Sequence, residues 1–176
     1  MNLSFSEVLN DRPQYFILRI WMSFNTEQLE LFDSYQASYV KRFNQPFARP
    51  EDDSGKPLFP KYHTIRRFRT TPSGMRAARQ WKAGMAIHFS INPKSSTYFR
   101  FAPVVRCTSI QSIQIKWPSN KNPLDFPDIT IDQKNLSKEE INSLARNDGF
   151  DSTTAFLTYF SQDFDGTLLH WTDLIY

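Results

Sequence analysis

The spacing of hydrophobic residues changes several times along this chain, and each change predicts a different element. Aromatic and β-branched residues follow one another over residues 15–24 (YFILRIWMSF), which is typical of a buried strand. Asn25 is a good helix N-cap, and Gln28 completes a box-like signal three residues later, so a helix is expected over residues 26–43. Its apolar positions recur at helical spacing and should pack on the sheet: Leu29, Phe32, Tyr39 and Phe43.

The rest of the chain combines strand patterns with two further helices. Strands are expected over residues 85–91, 97–105, 108–117, 129–132 and 167–176. Ser137 and Glu140 form a capping box for a helix that Gly149 should end in the left-handed conformation. The apolar face of this helix consists of Ile141, Leu144 and Ala145. Another helix is expected over residues 152–160.

Proline-containing segments separate these elements. Residues 44–60 and 118–128 should form irregular loops. A turn signal at residues 71–74 precedes a short basic helical stretch, with Gly84 as a plausible stop. Strands with interspersed helices, without regular alternation of the two, predict an α+β domain around a small curved sheet or β-barrel. A chain of 176 residues fits one such domain.

Charge is distributed unevenly along the chain. Between Ser54 and Leu124 there is no Asp or Glu, while thirteen of the 21 Lys and Arg residues lie there. A contiguous cationic surface attracts phosphates, so RNA or a nucleotide is the first partner to consider. The alternative is that this tract forms only a solvated basic face.

Composition restricts the classes of protein and of site. Hydrophobic residues make up 40% of the chain, which favours a folded globule. The single Cys107, most simply a small core residue, excludes an intramolecular disulfide, and with only three scattered His we expect neither a metal site nor a cofactor. The first residues lack the pattern of a signal peptide, and no apolar stretch approaches the roughly 18 residues needed to cross a bilayer. We therefore expect a cytoplasmic protein without membrane contact.

The short run at residues 61–66 (KYHTIR) lies within the acid-free tract. Lys61 supplies a cation, Thr64 a hydroxyl and Arg66 a forked donor, a set that suits a phosphate or an amide carbonyl. In an extended segment Thr64 and Arg66 share a face. A tight turn at residues 62–63 would instead bring Lys61 and Thr64 together.

This run resembles the K-x-x-T-x-R signature of the ASCH domains, which belong to the PUA-like superfamily. Residues 81–87 (WKAGMAI) resemble the family's "G-D-x-I" sequence before a barrel strand, and residues 144–150 (LARNDGF) its "A-x-x-E-G-F" helix end. The order of elements matches as well, over most of residues 15–176. The resemblance implies a single ASCH-type domain over residues 1–176, a PUA-like β-barrel with flanking helices, and an extended helix and loop at residues 25–60 before the signature.

The resemblance also implies an RNA-facing cleft beside the signature. Some small bacterial members are amidohydrolases that remove the acetyl group from N4-acetylcytidine with a Lys, a Thr and a Glu. The matching residues here are Lys61, Thr64 and Asp148, with Asp in place of Glu; Phe59-Pro60 also replaces the usual Gly before the Lys. In such a site Lys61 would be a partly neutral base, and Thr64 the activated hydroxyl or a donor to the oxyanion. The alternative for Asp148 is a solvated residue at a helix end.

Further residues are candidates for contact with RNA or a nucleotide: Tyr62, His63, Arg66, Arg67, Arg69, Arg76, Arg79, Trp81 and Lys82. Nearby arginines would also lower the pKa of Lys61. Tyr62 and Trp81 have rings that can stack on a base, although Trp81 is more simply a core residue, and His63 is more simply a packing or hydrogen-bonding neighbour. Three functions thus remain open, an RNA- or nucleotide-binding module first, then a nucleoside amidohydrolase, then a protein-interaction adaptor that uses the aromatic helix at residues 26–43.

Overall fold

The computed structural model of the chain describes residues 1–6, 8–9, 12–13, 15–46, 55–68, 81–119 and 126–176. The helices are α1 Phe16–Trp21, α2 Thr26–Leu29, α3 Phe32–Phe43, α4 Lys138–Asn147 and α5 Thr153–Tyr159. The strands are β1 Asn2–Phe5, β2 Val8–Leu9, β3 Arg12–Pro13, β4 His63–Arg67, β5 Ala86–Ile91, β6 Phe99–Arg100, β7 Val105–Arg106, β8 Ile110–Lys116, β9 Asp128–Ile131, β10 Lys134–Asn135 and β11 Phe164–His170. The mixed α+β class is therefore confirmed, while the closed β-barrel stays a prediction.

Two sheets contain most of these strands. The larger one is antiparallel, with the order β10-β9-β8-β11-β4. In the smaller one β5 is central and pairs with β1 in parallel and with β6 and β7 antiparallel. β2 and β3 form a separate hairpin. Strand β4, which contains most of the signature, thus lies at the edge of the larger sheet, hydrogen-bonded to β11.

Strand β11 contributes to two hydrophobic cores. Leu169 belongs to a core rich in aromatic residues, between the smaller sheet and helices α1 and α3. Leu168 points to the other side and belongs to a core of isoleucine and phenylalanine side chains under helices α4 and α5. Neighbouring residues of a strand face opposite sides, so one strand can join two cores. The two cores meet along β4 and β11.

The strand predicted over residues 15–24 is wrong, because this segment forms helix α1. Five consecutive residues, from Ile17 to Trp21, are buried. A helix that is buried on all sides has a continuous apolar sequence, and periodicity alone does not distinguish it from a buried strand. Burial of the whole turn outweighs the strand preference of its β-branched and aromatic residues.

The predicted helix over residues 26–43 is divided in two. The Asn25–Gln28 capping box is confirmed, but α2 ends at Leu29 and α3 begins at Phe32. Leu29 is 44% exposed, so it does not pack on the sheet, whereas Phe32, Tyr39 and Phe43 join the aromatic core. The other large apolar residues exposed on these helices and their connections are Met22, Leu31 and Val40.

The remaining elements agree with the sequence in most places. The strands over residues 85–91, 108–117 and 129–132 are present as β5, β8 and β9, and both later helices are present with the expected Ser137–Glu140 box and a Ser152 cap. The strand over 97–105 is wrong in extent, because only β6 and β7 are paired there. The last strand, β11, lies earlier than expected. Strand β1 was not predicted, and the turn and basic helix before residue 81 lie outside the described residues.

Candidate active site

The backbone before β4 is held between two helices. The Lys61 N–H donates to the Arg19 carbonyl of α1 at 2.8 Å, and the Tyr62 N–H donates to the Asn147 carbonyl at the end of α4 at 2.8 Å. The second bond pairs the Asn147 carbonyl, which α4 would otherwise leave without a partner at its C-terminus. Together the two bonds bring Lys61 next to Asp148, 87 residues further along the chain.

Lys61 and Asp148 form a buried ion pair. The Lys61 Nζ lies 2.6 Å from Asp148 Oδ1, and it also donates to the Asp148 backbone carbonyl. Lys61 is 2% exposed and Asp148 5% exposed. The pair sits at the C-terminal end of α4, where the helix dipole favours a cation. Asp148 is therefore not a solvated helix-end residue, and its shorter side chain reaches the lysine directly.

Gly149 allows the lysine to lie against the helix end. Its φ is +85°, and a Cβ added there would lie 3.4 Å from Lys61 Cβ and 3.4 Å from Arg19 Cδ. The Gly149 N–H donates to the Arg146 carbonyl and the Phe150 N–H to the Ala145 carbonyl, the bonds of a Schellman motif. The expected left-handed end of α4 is thus confirmed.

Behind the ion pair lies a group of buried polar side chains. His63 is fully buried, and its Nδ1 lies 3.5 Å from Asp148 Oδ1. Its Nε2 is hydrogen-bonded to the Tyr176 hydroxyl at 2.8 Å, and that hydroxyl accepts a hydrogen bond from Asn147 Nδ2 at 2.9 Å. The His170 ring packs against the His63 ring in a tilted arrangement, with 5.2 Å between the centroids.

Burial and neighbouring charges shift the pKa values of the ion pair. Burial lowers the pKa of Lys61; Asp148 opposes this effect, and the Arg66 and Arg19 charges add to it. Burial alone would raise the pKa of the Asp148 carboxyl, but the Lys61 ammonium and His63 outweigh it and hold that pKa below its usual range. Asp148 is therefore an anion at neutral pH, and Lys61 loses its proton more readily than an exposed lysine.

A cavity of about 280 Å³ opens beside the ion pair; we call it the first cavity. Its polar lining includes Lys61, Thr64, Arg66 and Asp148. Its aromatic lining consists of Phe5, Phe16, Phe150, Tyr159 and Phe160. The Lys61 Nζ lies 5.3 Å from the centroid of the Phe16 ring, within the range of a cation–π contact. The volume is near the lower end of ligand cavities, about 300 to 1,000 Å³, so it suits a small ligand.

A second cavity of about 490 Å³ lies next to the first, and Ser4 and Arg66 line both. Arg66 Nη2 donates to the Ser4 carbonyl at 2.9 Å, which holds β1 close to β4. Arg67 and Trp81 also line this second cavity. Two guanidinium groups and an indole thus border one concave surface.

The structure divides the predicted site residues into several groups. Lys61, Thr64 and Asp148 converge on the first cavity, with Thr64 on the same face of the extended β4 as Arg66. The alternative turn at residues 62–63 is therefore wrong. His63 is buried, which favours the hydrogen-bonding role over direct contact with a nucleic acid.

The other predicted binding residues lie away from the first cavity. The half-buried Tyr62 accepts a hydrogen bond at its carbonyl from the Thr172 hydroxyl at 3.3 Å. Trp81 is half-buried and packs on the aromatic core, and Lys82 is exposed. Arg69, Arg76 and Arg79 lie outside the described residues.

Sequence reasoning missed several residues around the site. Arg19 is 2% exposed, and its Nη2 lies 2.5 Å from Asp151 Oδ1. A charged residue within the apolar run at residues 15–24 was the available signal for this contact. Tyr176 and the aromatic residues Phe5 and Phe16 gave no comparable signal, because their positions follow from pairings that are distant in sequence.

Comparison of the chain with protein-family models, curated proteins and solved structures gave no match. The ASCH assignment therefore stays a prediction from short motifs. Among the described residues, no helix has the length and apolar character required to cross a membrane. The described part of the chain also contains no group of three or more His, Cys, Asp or Glu placed to hold a metal ion.

Proposed function

We propose that this protein is an amidohydrolase that removes the acyl group from an N4-acylated, cytidine-like nucleoside. The observation that carries the proposal is the buried Lys61–Asp148 ion pair, which shares a small cavity with Thr64. The substrate class comes from the resemblance of the KYHTIR run to ASCH-type amidohydrolases, and an ASCH-type domain with a PUA-like β-barrel is part of the same proposal.

Lys61 can act as the base, because the ammonium that forms when it takes up a proton is stabilised by Asp148. Neutral Lys61 accepts a proton, and the resulting ammonium lies 2.6 Å from the Asp148 carboxylate. Because burial lowers the pKa of Lys61, the neutral form exists at a lower pH than in water. A general base works best when its pKa is near the working pH. Asp148 orients the amine and stabilises it once it is protonated.

Two routes use these groups. In the first, Lys61 takes the proton of the Thr64 hydroxyl while that oxygen bonds to the amide carbon; the C–N bond then breaks, the leaving N4 takes the proton from Lys61, and water hydrolyses the acyl-threonine ester. In the second, Lys61 takes a proton from water while the water oxygen bonds to the amide carbon, and the Thr64 hydroxyl donates to the oxyanion; the C–N bond then breaks and the leaving N4 takes that proton from Lys61. Both release a carboxylic acid and the deacylated nucleoside. Mass spectrometry of the quenched enzyme distinguishes them, because only the first acylates Thr64.

The walls of the cavity suit a planar base. Phe5 and Phe16 pack on each other with centroids 5.4 Å apart, and Phe150 and Tyr159 with centroids 5.7 Å apart. Stacking on such rings contributes about 1–3 kcal/mol per base. The guanidinium of Arg66 places a charged donor at the edge of the same space.

The test is release of cytidine and acetate from N4-acetylcytidine, measured by chromatography. Wild-type protein should hydrolyse N4-acetylcytidine. The rate should fall about 100-fold or more in Lys61→Met, which is typical for removal of a general base. Lys134→Met is a matched control, since Lys134 is exposed, lines neither cavity and should keep full activity when changed. Absence of hydrolysis by the wild type, or equal rates for wild type and Lys61→Met, would overturn the proposal.

A second candidate function is binding of RNA or a nucleotide at the second cavity. It is favoured by the presence of Arg66, Arg67 and Trp81 around one concave surface next to the first cavity. Cationic groups bind phosphates without sequence preference, and binding then weakens as salt rises.

This candidate is tested by RNA oligonucleotide binding across a salt series. Exposed Arg67 is the residue to change, and Arg67→Glu should weaken binding and reduce its salt dependence. A variant with Arg76, Arg79 and Lys82 changed to Glu tests the rest of the basic tract. Binding that is absent at low salt, or equal in all variants, excludes this function.

A further inference from the structure

We propose that His63 and Tyr176 are positioning residues that fix the proton arrangement of the Lys61–Asp148 pair. The proposal rests on the proposed function for its kinetic consequence, although the arrangement itself can be observed without activity. The carrying observation is a chain of contacts that runs from Asn147 through Tyr176 and His63 to Asp148.

The donors and acceptors of this chain have a fixed order. The Asn147 amide nitrogen can only donate, so the Tyr176 oxygen accepts from it at 2.9 Å. The Tyr176 oxygen has a second lone pair, but His63 Nε2, 2.8 Å away, is the acceptor that the described contacts offer to its single hydroxyl proton, so we assign the proton to that bond. Nε2 acts as an acceptor and carries no proton. A neutral imidazole has one proton, so in His63 it is on Nδ1.

The protonated nitrogen faces the carboxylate of the ion pair. His63 Nδ1 lies 3.5 Å from Asp148 Oδ1, the same oxygen that accepts from Lys61 Nζ at 2.6 Å. At 3.5 Å the contact is too long for an ordinary hydrogen bond, and His63 Nδ1 has no hydrogen-bond partner among the described residues, but an N–H dipole this close to the carboxylate still stabilises the anion in a buried setting. The other tautomer would direct a lone pair at the carboxylate and make it more basic.

Tyr176 is held in place by its backbone as well as by its hydroxyl. Its N–H donates to Gln111 Oε1 at 3.1 Å, and its carbonyl accepts from Gln111 Nε2 at 3.0 Å. Gln111 is itself buried in β8. The two bonds fix the ring relative to the larger sheet, which also contains β4 and therefore His63.

Burial keeps the side chains of His63, His170 and Tyr176 neutral. The titratable and charged groups that face this chain and the pair are Lys61, Asp148, His63, His170, Tyr176, Arg66, Arg19 and Asp132. Burial lowers the pKa of His63, and it lowers the pKa of His170 to about 3. Burial raises the pKa of Tyr176, so the phenol keeps its proton. At neutral pH only the ion pair and the arginines near it, together with Asp132, are charged.

Nuclear magnetic resonance of protein with ¹⁵N-labelled histidine tests the tautomer directly. The wild type should show His63 protonated on Nδ1, and Tyr176→Phe should move the proton wholly or partly to Nε2. The three histidines are assigned with His88→Gln and His170→Asn variants. Tyr98→Phe is the matched control, because the Tyr98 hydroxyl accepts only an exposed contact from Arg100 and should leave the His63 signals unchanged. A wild-type His63 protonated on Nε2 overturns the proposal.

Asn147→Asp provides a second variant if Tyr176→Phe does not fold. A carboxylate at position 147 accepts from the Tyr176 hydroxyl, which reverses the chain. The Tyr176 oxygen then accepts from His63, so the His63 proton should lie on Nε2. A His63 proton that stays on Nδ1 in this variant contradicts the proposed proton arrangement.

The kinetic consequence is a shifted pH profile. In Tyr176→Phe a more basic Asp148 holds the Lys61 proton more tightly, so the rise of kcat with pH should move up by about one unit and the rate near neutral pH should fall about tenfold. KM should stay unchanged, since neither residue lines the first cavity. A pH profile of Tyr176→Phe with the wild-type midpoint contradicts the proposed proton arrangement. A wild type that does not hydrolyse the substrate refutes the proposed amidohydrolase function instead. The tautomer measurement still tests the proposed proton arrangement in that case.

Discussion

At the scale of single residues, burial determines the properties of the Lys61–Asp148 pair. Two charges taken out of water are costly unless each has its partner, and here the partners are 2.6 Å apart. The residue types and the KYHTIR run were recognisable in the sequence. The role of Tyr176 was not, because hydrogen-bond order depends on side chains that are brought together only by folding.

The stability of single variants should reflect this burial. Lys61→Met leaves Asp148 buried without its partner and should lower the free energy of unfolding by about 3 kcal/mol or more. The double variant Lys61→Met, Asp148→Leu should be closer to wild type, because it removes both charges. The measurement is urea-induced unfolding of wild type, Lys61→Met, Asp148→Leu and the double variant.

An exposed ion pair of similar length is the control. Lys134 Nζ lies 2.7 Å from Glu140 Oε1, with the side chains 60% and 39% exposed. Solvent screens such a pair, so Lys134→Met should hardly change stability. Equal losses for Lys61→Met and Lys134→Met would show that burial is not the determining factor.

At the scale of elements, the ends of helices were more predictable than the helix and strand interiors. The caps at Asn25 and Ser137 were visible because they depend on a few adjacent residues. Helix α1 was predicted as a strand because its burial on all sides comes from contacts elsewhere in the chain. Strand β1 was missed for the same reason, since its pairing with β5 joins residues 86 positions apart.

Gly149 and Gly84 give an element-scale prediction. Both have positive φ, +85° and +83°, but a Cβ at Gly84 meets open space, whereas at Gly149 it meets Lys61 and Arg19. Gly84→Ala should therefore cost only the backbone strain, about 1–2 kcal/mol. Gly149→Ala should cost about the same, because its Cβ would be in ordinary van der Waals contact with Lys61 and Arg19 at 3.4 Å. It should in addition lower activity, because relief of the backbone strain next to Asp148 would shift the ion pair. Thermal unfolding and hydrolysis rates of both variants check this. Equal losses of activity in Gly84→Ala and Gly149→Ala would contradict it.

At the scale of the whole molecule, the two cores meet along β4 and β11, where the buried histidines lie. The α+β class follows from the order of patterns along the sequence, but the division into two sheets with β11 in both cores does not. Strand partners distant in sequence decide that division. The basic tract was clear from composition, although several of its arginines lie outside the described residues.

The buried histidines should make folding sensitive to acid. Burial lowers the pKa of His170 from 6.5 to about 3 and also lowers that of His63, so between these values the unfolded chain binds more protons than the folded one. Stability should therefore fall as the pH drops below 6.5, by about 1.4 kcal/mol per unit for His170 alone. Asp148, whose pKa is lowered, adds a further loss below about pH 4.

Urea unfolding at pH 7 and near pH 4.5 measures this effect. His170→Leu should lose less stability between the two conditions than wild type, because one of the two buried histidines is removed. Both ring nitrogens of His170 are buried without a hydrogen-bond partner in the described structure, so the substitution breaks no such bond. Wild-type stability that is equal at both pH values would contradict the account.

The central claim is that Lys61, within its pair with Asp148, is the base of an amide-hydrolysing site. The most direct test is the rate of N4-acetylcytidine hydrolysis by wild type and Lys61→Met from about pH 5 to about pH 10. Because burial lowers the pKa of Lys61 from 10.5, the wild-type kcat should rise with pH and level off below that value. The kcat of Lys61→Met should not rise with pH, and it should stay below about a hundredth of the wild-type kcat. A wild type that does not hydrolyse the amide, or a Lys61→Met variant with the wild-type profile, would contradict the claim.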